Sequence, residues 1–470
     1  MKKTIVLLPI AFLLAGCVTN NSSVNSNGEN SLTSGTNSLN ETVVLDFYNI
    51  NDFHGAIEEN TGLSEPGLSK ISTYLKQKKS KNNDGFVLTS SGDMWQGSAL
   101  SNTFKGAIVN DWMNYMQFDC MTLGNHEFDW GIDTLKSNIK DLNFPVINCN
   151  LEDKDLAKPV DWVEGTYTKQ VNGLNIGFVG AIGEGQGGDI LASVSHSFNF
   201  PDPSSYVIDA ATELREKGAD IIVYLLHDET AAVNSQVVDK VDVIFCGHSH
   251  QGERQLVNGK PLLQAYSNGK DLAHINLTYN KTTKSIQYNT YEIIDLRNMQ
   301  LAKDAGAEEI IGKRYDDATK TKLEAEIGRT NRQLSQSDLT SLITKYFYQY
   351  YCDNYTEYPI YAANHNNARS AIARGVVTYK DAFKAFPFEN EPVLMKIKGS
   401  ALKTITYGQF YPNKDDNIAD NEYYYIFTID YIADYDYYYQ PSLGVEIVER
   451  YKDIYPRDIF SQYFGADYPL

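Results

Sequence analysis

Between residues 43 and 300, short apolar runs rich in β-branched side chains alternate with stretches whose apolar positions recur every three or four residues. The short runs are bounded by polar residues and glycine, and they predict strands at 43–50, 86–90, 120–123, 145–148, 176–181, 220–226 and 241–246. The periodic stretches predict amphipathic helices at 68–79, 104–116, 133–142 and 206–217. Strands alternating with helices bury a sheet core beneath helices on both faces, so the fold class is α/β. The pair Asn172-Gly173 predicts a tight hairpin before Leu174, which makes the sheets mixed and not purely parallel. A charged stretch at 301–330, without strong turn signals, predicts a connector helix between two domains.

The first 42 residues follow a different pattern. Met1-Lys2-Lys3 and a short apolar segment lead to Leu14-Ala15-Gly16-Cys17, a signal peptide too short to span a bilayer as a stable helix. Leu14 to Cys17 resembles the lipobox of bacterial lipoproteins, which implies cleavage before Cys17 and diacylation of its thiol; two acyl chains anchor a protein stably. Residues 18–42 are nearly all Asn, Ser, Thr and Gly, too polar to bury anything, and are expected to form a disordered tether. The expected location is therefore extracytoplasmic, held at the bacterial membrane through Cys17. About 430 residues remain beyond the tether, more than one core holds, so two domains are expected.

Composition then narrows the chemistry. A net charge of -19 excludes a nucleic-acid polymer as partner, since little here would neutralise a phosphate backbone. Small phosphorylated ligands stay open, because a metal site supplies positive charge locally. Cys120, Cys149, Cys246 and Cys352 lack the paired spacings of zinc knuckles and read as buried thiols. No feature of the sequence sets an oligomeric state.

The metal-capable side chains cluster just after the strands. Asp52 and His54 follow the first strand, Asp93 the second, Asn125 and His126 the third, His227 the 220–226 strand, and His248 and His250 the 241–246 strand. Five of the eight histidines fall in these turns. Taken singly, each has a structural reading: Asp52-Phe53-His54 as a plain turn, Asn125 or Asp129 as a helix cap, His227 as a satisfied histidine at a strand end. Together they point to one pocket, because ligands of α/β sheets collect outside the carboxyl ends of the strands. Carboxylates, one amide oxygen and several imidazoles suit Mn²⁺, Zn²⁺, Co²⁺ or Fe²⁺. Seven candidates exceed one tetrahedral site, so two divalent ions are expected, roughly 3.5–4 Å apart and bridged by one carboxylate, an arrangement suited to phosphoester hydrolysis.

These residues resemble the calcineurin-like metallophosphoesterases, and within them the exported 5'-nucleotidase and UDP-sugar hydrolase group. The matching motifs are Asn51-Asp52-Phe53-His54-Gly55, Ser91-Gly92-Asp93 with Gly97-Ser98, Gly124-Asn125-His126-Glu127-Phe128-Asp129, His227 and Gly247-His248-Ser249-His250. The resemblance implies that Asp52, His54 and His250 hold one ion, that Asn125, His227 and His248 hold the other, and that Asp93 bridges. It also implies that His126, oriented by Asp129, stabilises or protonates the departing ester. The implied architecture is a catalytic sandwich of mixed sheets flanked by helices at 43–300, the connector at 301–330, and a smaller α/β substrate-binding domain at 331–470. There the likeness is looser: Asn364 to Arg369, Pro387-Phe388 and the run 434–438 fall on the family's substrate loops, with glycines lost from the first and last. Asn364, Arg369, Phe388 and Tyr438 are the implied nucleotide contacts. The implied function is removal of phosphate from nucleotides for salvage, 5'-nucleoside monophosphates foremost, with nucleotide sugars or 2',3'-cyclic nucleotides as further substrates. The alternative is a non-catalytic nucleotide-binding or adhesive surface lipoprotein that keeps the fold. The complete ligand set separates the two, because unpaired buried charges destabilise a chain that does not use them.

Overall fold

The apolar runs pair into two six-stranded sheets that pack face to face. The computed structural model describes residues 42–415, 417–434, 439 and 444–469; the signal peptide, the tether up to residue 41, Cys17 and Tyr438 lie outside the described residues. The strands of the first sheet are β1 (Thr42–Ile50), β2 (Phe86–Ser90), β3 (Cys120–Thr122) and β4 (Val146–Ile147). The second contains β5 (Thr166–Val171), β6 (Leu174–Ile182), β7 (Ile221–His227), β8 (Val243–Phe245), β9 (Glu253–Val257) and β10 (Lys260–Gln264). The chain then returns to the first sheet with β11 (Asp271–Asn280) and β12 (Ser285–Asp295). The orders are β12-β11-β1-β2-β3-β4 and β9-β10-β8-β7-β6-β5. β1 to β4 run parallel, as do β6, β7, β8 and β10, while β5, β9, β11 and β12 add antiparallel edges. The Asn172-Gly173 hairpin forms as expected between β5 and β6, with both residues at positive φ (50° and 73°), the pairing that a two-residue turn of matching twist requires.

Alternation along each strand explains the layering. Leu45 and Phe47 of β1 point between the sheets and meet Phe178, Val223 and Phe245 from the other side. Tyr48 and Ile50 point outward beneath the helices Gly67–Lys79 and Ala107–Met116, against Ile71, Leu75 and Trp112. The helix Ser204–Glu216 covers the second sheet, packing Val207 and Ala211 on Ile222 and Tyr224. The result is a four-layer helix–sheet–sheet–helix sandwich whose parallel strands all end on one side.

The stretch 301–330 departs from the expected single connector helix. It holds two short helices, Ala305–Arg314 and Asp317–Leu323, followed by a strand, Glu326–Thr330. The break lies at Asp316, whose side chain accepts from the Thr319 N–H and so caps the second helix instead of continuing the first. Beyond it, a five-stranded sheet runs in the order Gln409–Tyr411, Ile360–His365, Tyr423–Ile429, Pro392–Lys398, Glu446–Arg450. Helices Gln336–Asn354 and Pro456–Asp467 cover it, and Ile343, Phe347, Phe427 and Phe460 form a separate core. All four described cysteines are free thiols; Cys120 and Cys246 are buried, Cys149 is half-buried, and Cys352, against expectation, is exposed on a helix. Among the described residues no helix is long and apolar enough to cross a membrane.

Candidate metal centre

Each parallel strand delivers its polar residues to the same edge. Asp52 and His54 follow β1, Asp93 follows β2, Asn125 and His126 follow β3, His227 closes β7, and His248 and His250 follow β8. They assemble into two groups, Asp52 with His54 and His250, and Asp93 with His227 and His248, within each of which ligand-capable atoms lie no more than 4.8 Å apart. In the first, His250 Nε2 lies 2.9 Å from His54 Nε2 and 3.4 Å from Asp52 Oδ1. In the second, His227 Nε2 lies 3.3 Å from Asp93 Oδ2, and Asn125 Oδ1 lies 3.0 Å from His227 Nε2 and 3.1 Å from His248 Nδ1. Asp93 Oδ2 is also 3.9 Å from His54 Nε2, which puts this one carboxylate between the two groups.

The donor chemistry fits cations. His54 Nδ1 faces the Gln96 carbonyl at 2.9 Å and His227 Nδ1 faces the Ser91 carbonyl at 2.7 Å, so each Nδ1 carries a proton and each Nε2 is the nitrogen turned inward, where a cation would meet it. Imidazole nitrogens and carboxylates therefore converge, and without an ion protons must stand between them. The same demand shows in the titration of the site. Burial lowers His227, but the adjacent Asp93 charge and hydrogen bond outweigh it and lift the imidazole to about 10. Burial would raise Asp52, yet its hydrogen bond to His250 and the His250 and His227 charges bring it down to about 2. His54, buried beside His250, is pushed well down. A cation at each group answers this imbalance.

The backbone is bent to make the convergence possible. Asp52, His54, Asp93, His248 and His250 all have positive φ, between 48° and 78°, a conformation that non-glycine residues adopt only when their surroundings enforce it. Glu127 supplies part of that enforcement: its carboxylate accepts the N–H groups of Asp93, Met94 and Gly124 at 2.7–2.8 Å. Burial, followed by the Asp93 charge, pushes Glu127 up to about 7. At Gly124 there is no room for a side chain, since a Cβ would stand 2.3 Å from Asp93 Oδ1.

His126 stands beside the second group. Its N–H donates to Asp93 Oδ1 at 2.9 Å and its Nδ1 pairs with Asp129 Oδ2 at 2.8 Å. Burial depresses the imidazole, but the Asp129 and Asp93 charges outweigh it and raise it. Residues 45–252 match the calcineurin-like phosphoesterase family, and residues 311–406 match the 5'-nucleotidase C-terminal domain. Residues 45–252 form a calcineurin-like phosphoesterase domain. It is 26% identical over 413 residues to Endonuclease YhcR of Bacillus subtilis, covering 79% of this chain and 33% of that protein. With Cell wall protein Lmo0130 of Listeria monocytogenes it shares 23% identity, over 83% of this chain and 59% of the other. The chain thus spans about a third and about three fifths of these two relatives. A shorter match, to the 5'-nucleotidase of Diplobatis ommata, is 29% identical over half of this chain and 46% of that one. In fold it is similar to the 5'-nucleotidase precursor of Thermus thermophilus, with a TM-score of 0.78 at 19% identity, over 91% of this chain and 97% of the other.

The calcineurin-like centre opens into a cleft of about 620 Å³ roofed by the 5'-nucleotidase-type domain. Arg369 crosses over to donate from Nη2 to His126 Nε2 at 3.0 Å. The Phe388 ring stacks on the His126 ring at 5.5 Å and 25°, and the Arg369 guanidinium lies 5.7 Å from the Phe388 centroid. Asn364 is not there. It is fully buried on its strand, donating to the carbonyls of Tyr407 and Gln409 and accepting from the Tyr439 hydroxyl, so it holds a loop together within the domain core. Asn366 and Asn367, beyond the strand end, line the cleft in its place. Tyr438 lies outside the described residues; Tyr407 and Tyr431 are the described tyrosines of the lining.

Three further residues of the site carry no motif of their own. Gln96 lines the cleft beside the metal groups. Asp189 arrives on a glycine-rich segment after β6, and its Oδ2 lies 3.8 Å from His248 Nε2. Trp130, just past Asp129, lines the rim. The run Gly183-Glu184-Gly185-Gln186-Gly187-Gly188-Asp189 was the available signal for Asp189; Gln96 had none beyond its nearness to Asp93.

Proposed function

We propose that this chain is a dinuclear-metal phosphohydrolase that removes phosphate from nucleotides outside the cytoplasm, for salvage, with residues 43–300 as the catalytic part and 331–470 as the part that holds the nucleoside. The observation that carries this reading is the Asp93 carboxylate between two imidazole-bearing groups, with His126 and Phe388 stacked at the mouth of the adjoining cleft. Asp52, His54 and His250 would hold one ion, Asn125, His227 and His248 the other, and Asp93 both; bound there, the ions polarise a phosphoryl group and supply hydroxide at neutral pH.

The remaining work falls to the chain's own side chains. Phe388 offers a face for a base, and stacking of this kind is worth roughly 1–3 kcal/mol whichever base is present. Arg369 donates from its guanidinium to phosphoryl oxygens and so turns the ester toward His126. His126, held at Nδ1 by Asp129, gives a proton from Nε2 to the departing nucleoside oxygen. Weak base preference follows from stacking without base-edge readout, and nucleotide sugars and 2',3'-cyclic nucleotides are the further substrates of this reading. A lipid on Cys17 would place the enzyme at the outer face of the cytoplasmic membrane, where no intracellular nucleotide pool is exposed to it.

The test is released phosphate, measured on the protein after chelation and reloading with Mn²⁺, across nucleoside monophosphates, nucleotide sugars and 2',3'-cyclic nucleotides. Turnover of 5'-monophosphates that chelation abolishes is the expected result. Reloaded protein that releases no phosphate from any of them would sink the reading.

A further inference from the structure

A second cleft, of about 630 Å³, adjoins the first, and His54 and His250 form part of its wall. It shares Gln96, His250, Gln336, Arg369 and Pro387 with the aromatic cleft, yet none of its described lining residues is Phe, Tyr or Trp. Cations dominate instead. Lys270, Lys384 and Arg369 face it against a single carboxylate, Glu65, in a chain whose net charge is -19. Glu65 is itself 3% exposed; it is paired with Lys384, and Lys270 Nζ lies 3.9 Å away, so one negative charge serves two ammonium groups.

Gln96 marks what is missing from the protein's own bonding. Its side chain is 1% exposed, and neither its amide nitrogen nor its amide oxygen has a hydrogen-bond partner among the described residues. A buried primary amide left unpaired is costly, and a polar ligand that reaches it removes that cost. The position is also held firmly, because the Gln96 carbonyl accepts from His54 Nδ1.

The two clefts therefore differ in what they can hold. The first presents an aromatic ring and a proton donor, which suit a nucleoside leaving group. The second presents ammonium groups, a guanidinium and an amide, which suit tetrahedral oxyanions. We infer that the second cleft is a phosphoryl-side subsite, which binds free phosphate or the terminal phosphoryl group of a substrate between Lys270, Lys384 and Arg369, with the Gln96 amide as a further donor. Nucleoside and phosphate then leave by separate clefts, and phosphate binds while a nucleoside still occupies the other. The link to turnover rests on the proposed nucleotidase activity; the binding itself does not.

The test begins with the full chain stripped of metal, titrated with inorganic phosphate by calorimetry, since the lysines do not depend on the ions. Saturable binding is expected, weakened about 10-fold by Lys270→Gln, the effect of losing one charge-assisted donor, and further by Lys270→Gln with Lys384→Gln. Lys270→Arg should restore it. Absence of binding, or binding that Lys270→Gln leaves unchanged, overturns the inference; because the close Lys384–Glu65 pair also ties the two domains together, whereas Lys270 Nζ stands 3.9 Å from Glu65, the Lys270 variant alone decides. In reloaded enzyme two arms separate the sources. A raised inhibition constant for phosphate, with nucleoside diphosphate and monophosphate turned over in unchanged ratio, identifies free phosphate as the occupant. A fall in the diphosphate rate relative to the monophosphate identifies the substrate's terminal phosphoryl group. Phosphate binding by a protein that hydrolyses no nucleotide would refute the nucleotidase reading and leave this one standing.

Discussion

At His126 two demands oppose each other. Asp129 and Asp93 favour the imidazolium, whereas Arg369, which has only donors, can approach Nε2 at 3.0 Å only when that nitrogen is bare. A phosphate ester entering between them gives the guanidinium an oxygen to bind and frees Nε2 to carry a proton, so the side chain is poised to change state as substrate arrives. Replacing His126 with Asn should leave metal content unchanged, measured by mass spectrometry after reloading, while turnover falls by roughly 10²–10⁴, the range for a positioned acid. Phe388 makes a separate prediction. Phe388→Ala should raise KM for nucleotides several-fold and spare a small aryl phosphate, which needs only the metal centre; equal loss on both substrates would assign Phe388 to packing alone. At this scale the motifs were legible because each of them follows a strand directly. Asn364 is the exception, because it lies on the strand Ile360–His365 and faces inward while Asn366 and Asn367 emerge past its end, and nothing in the local sequence marks where the strand ends.

The unbroken apolar strands were the legible ones, whereas the largely buried β10 and β11, interrupted by polar residues such as Gln264, His274 and Asn276, were not. All seven residues of β7 are buried, and such strands write themselves as unbroken apolar runs; the edge strand β9 exposes three consecutive residues and β12 is exposed along much of its length, so neither carries a clear apolar pattern. The connector shows the converse, a charged stretch whose helical pattern hid the cap at Asp316. One short element sets a pH dependence. Asp430 opens the helix Asp430–Ala433, and its Oδ1 accepts from Asn390 Nδ2 at 3.0 Å and from the Tyr431 N–H at 2.7 Å. Burial nevertheless prevails over these bonds and pushes the carboxyl up to about 6. Unfolded aspartate loses its proton near about 3.9, so between these values the folded chain holds a proton that the unfolded chain has released. Stability from this group therefore falls as pH rises from about 4 to about 6, and stays lower above that. Asp430→Asn should flatten the slope of denaturant midpoint against pH in this window and stabilise the protein at pH 7 by on the order of 1–3 kcal/mol. An unchanged slope would show that another group dominates.

Across the whole molecule the two cores meet through one helix. In Tyr379–Ala385, Phe383 packs into the core of the catalytic sandwich while Ala382 and Ala385 pack into that of the smaller domain. Lys380 with Glu58, Lys384 with Glu65, and Asn102 with the Pro387 carbonyl tie the same junction together. Residues 43–470 should accordingly unfold in a single calorimetric transition, and Phe383→Ala, at a cost of roughly 3–5 kcal/mol for a buried aromatic, should lower its midpoint; two resolved transitions would disprove the shared core. The shared helix had no signal in the chain, and the meeting of Arg369 with His126 across 243 positions was foreshadowed only by the family resemblance, not by any local pattern. The left-handed ligands carry a consequence for how such a centre is kept over generations. Where a residue is held at positive φ at a cost of order 1–3 kcal/mol, glycine relieves the strain, so at His250, with φ of 58°, folding and use pull in opposite directions. In an Asp52→Asn background, where no buried carboxylate is left without its imidazole partner, His250→Gly should make the chelated protein more resistant to heat than Asp52→Asn alone. Random mutation therefore erodes this centre along a path that folding rewards, and a lineage that stopped using it would lose these histidines first.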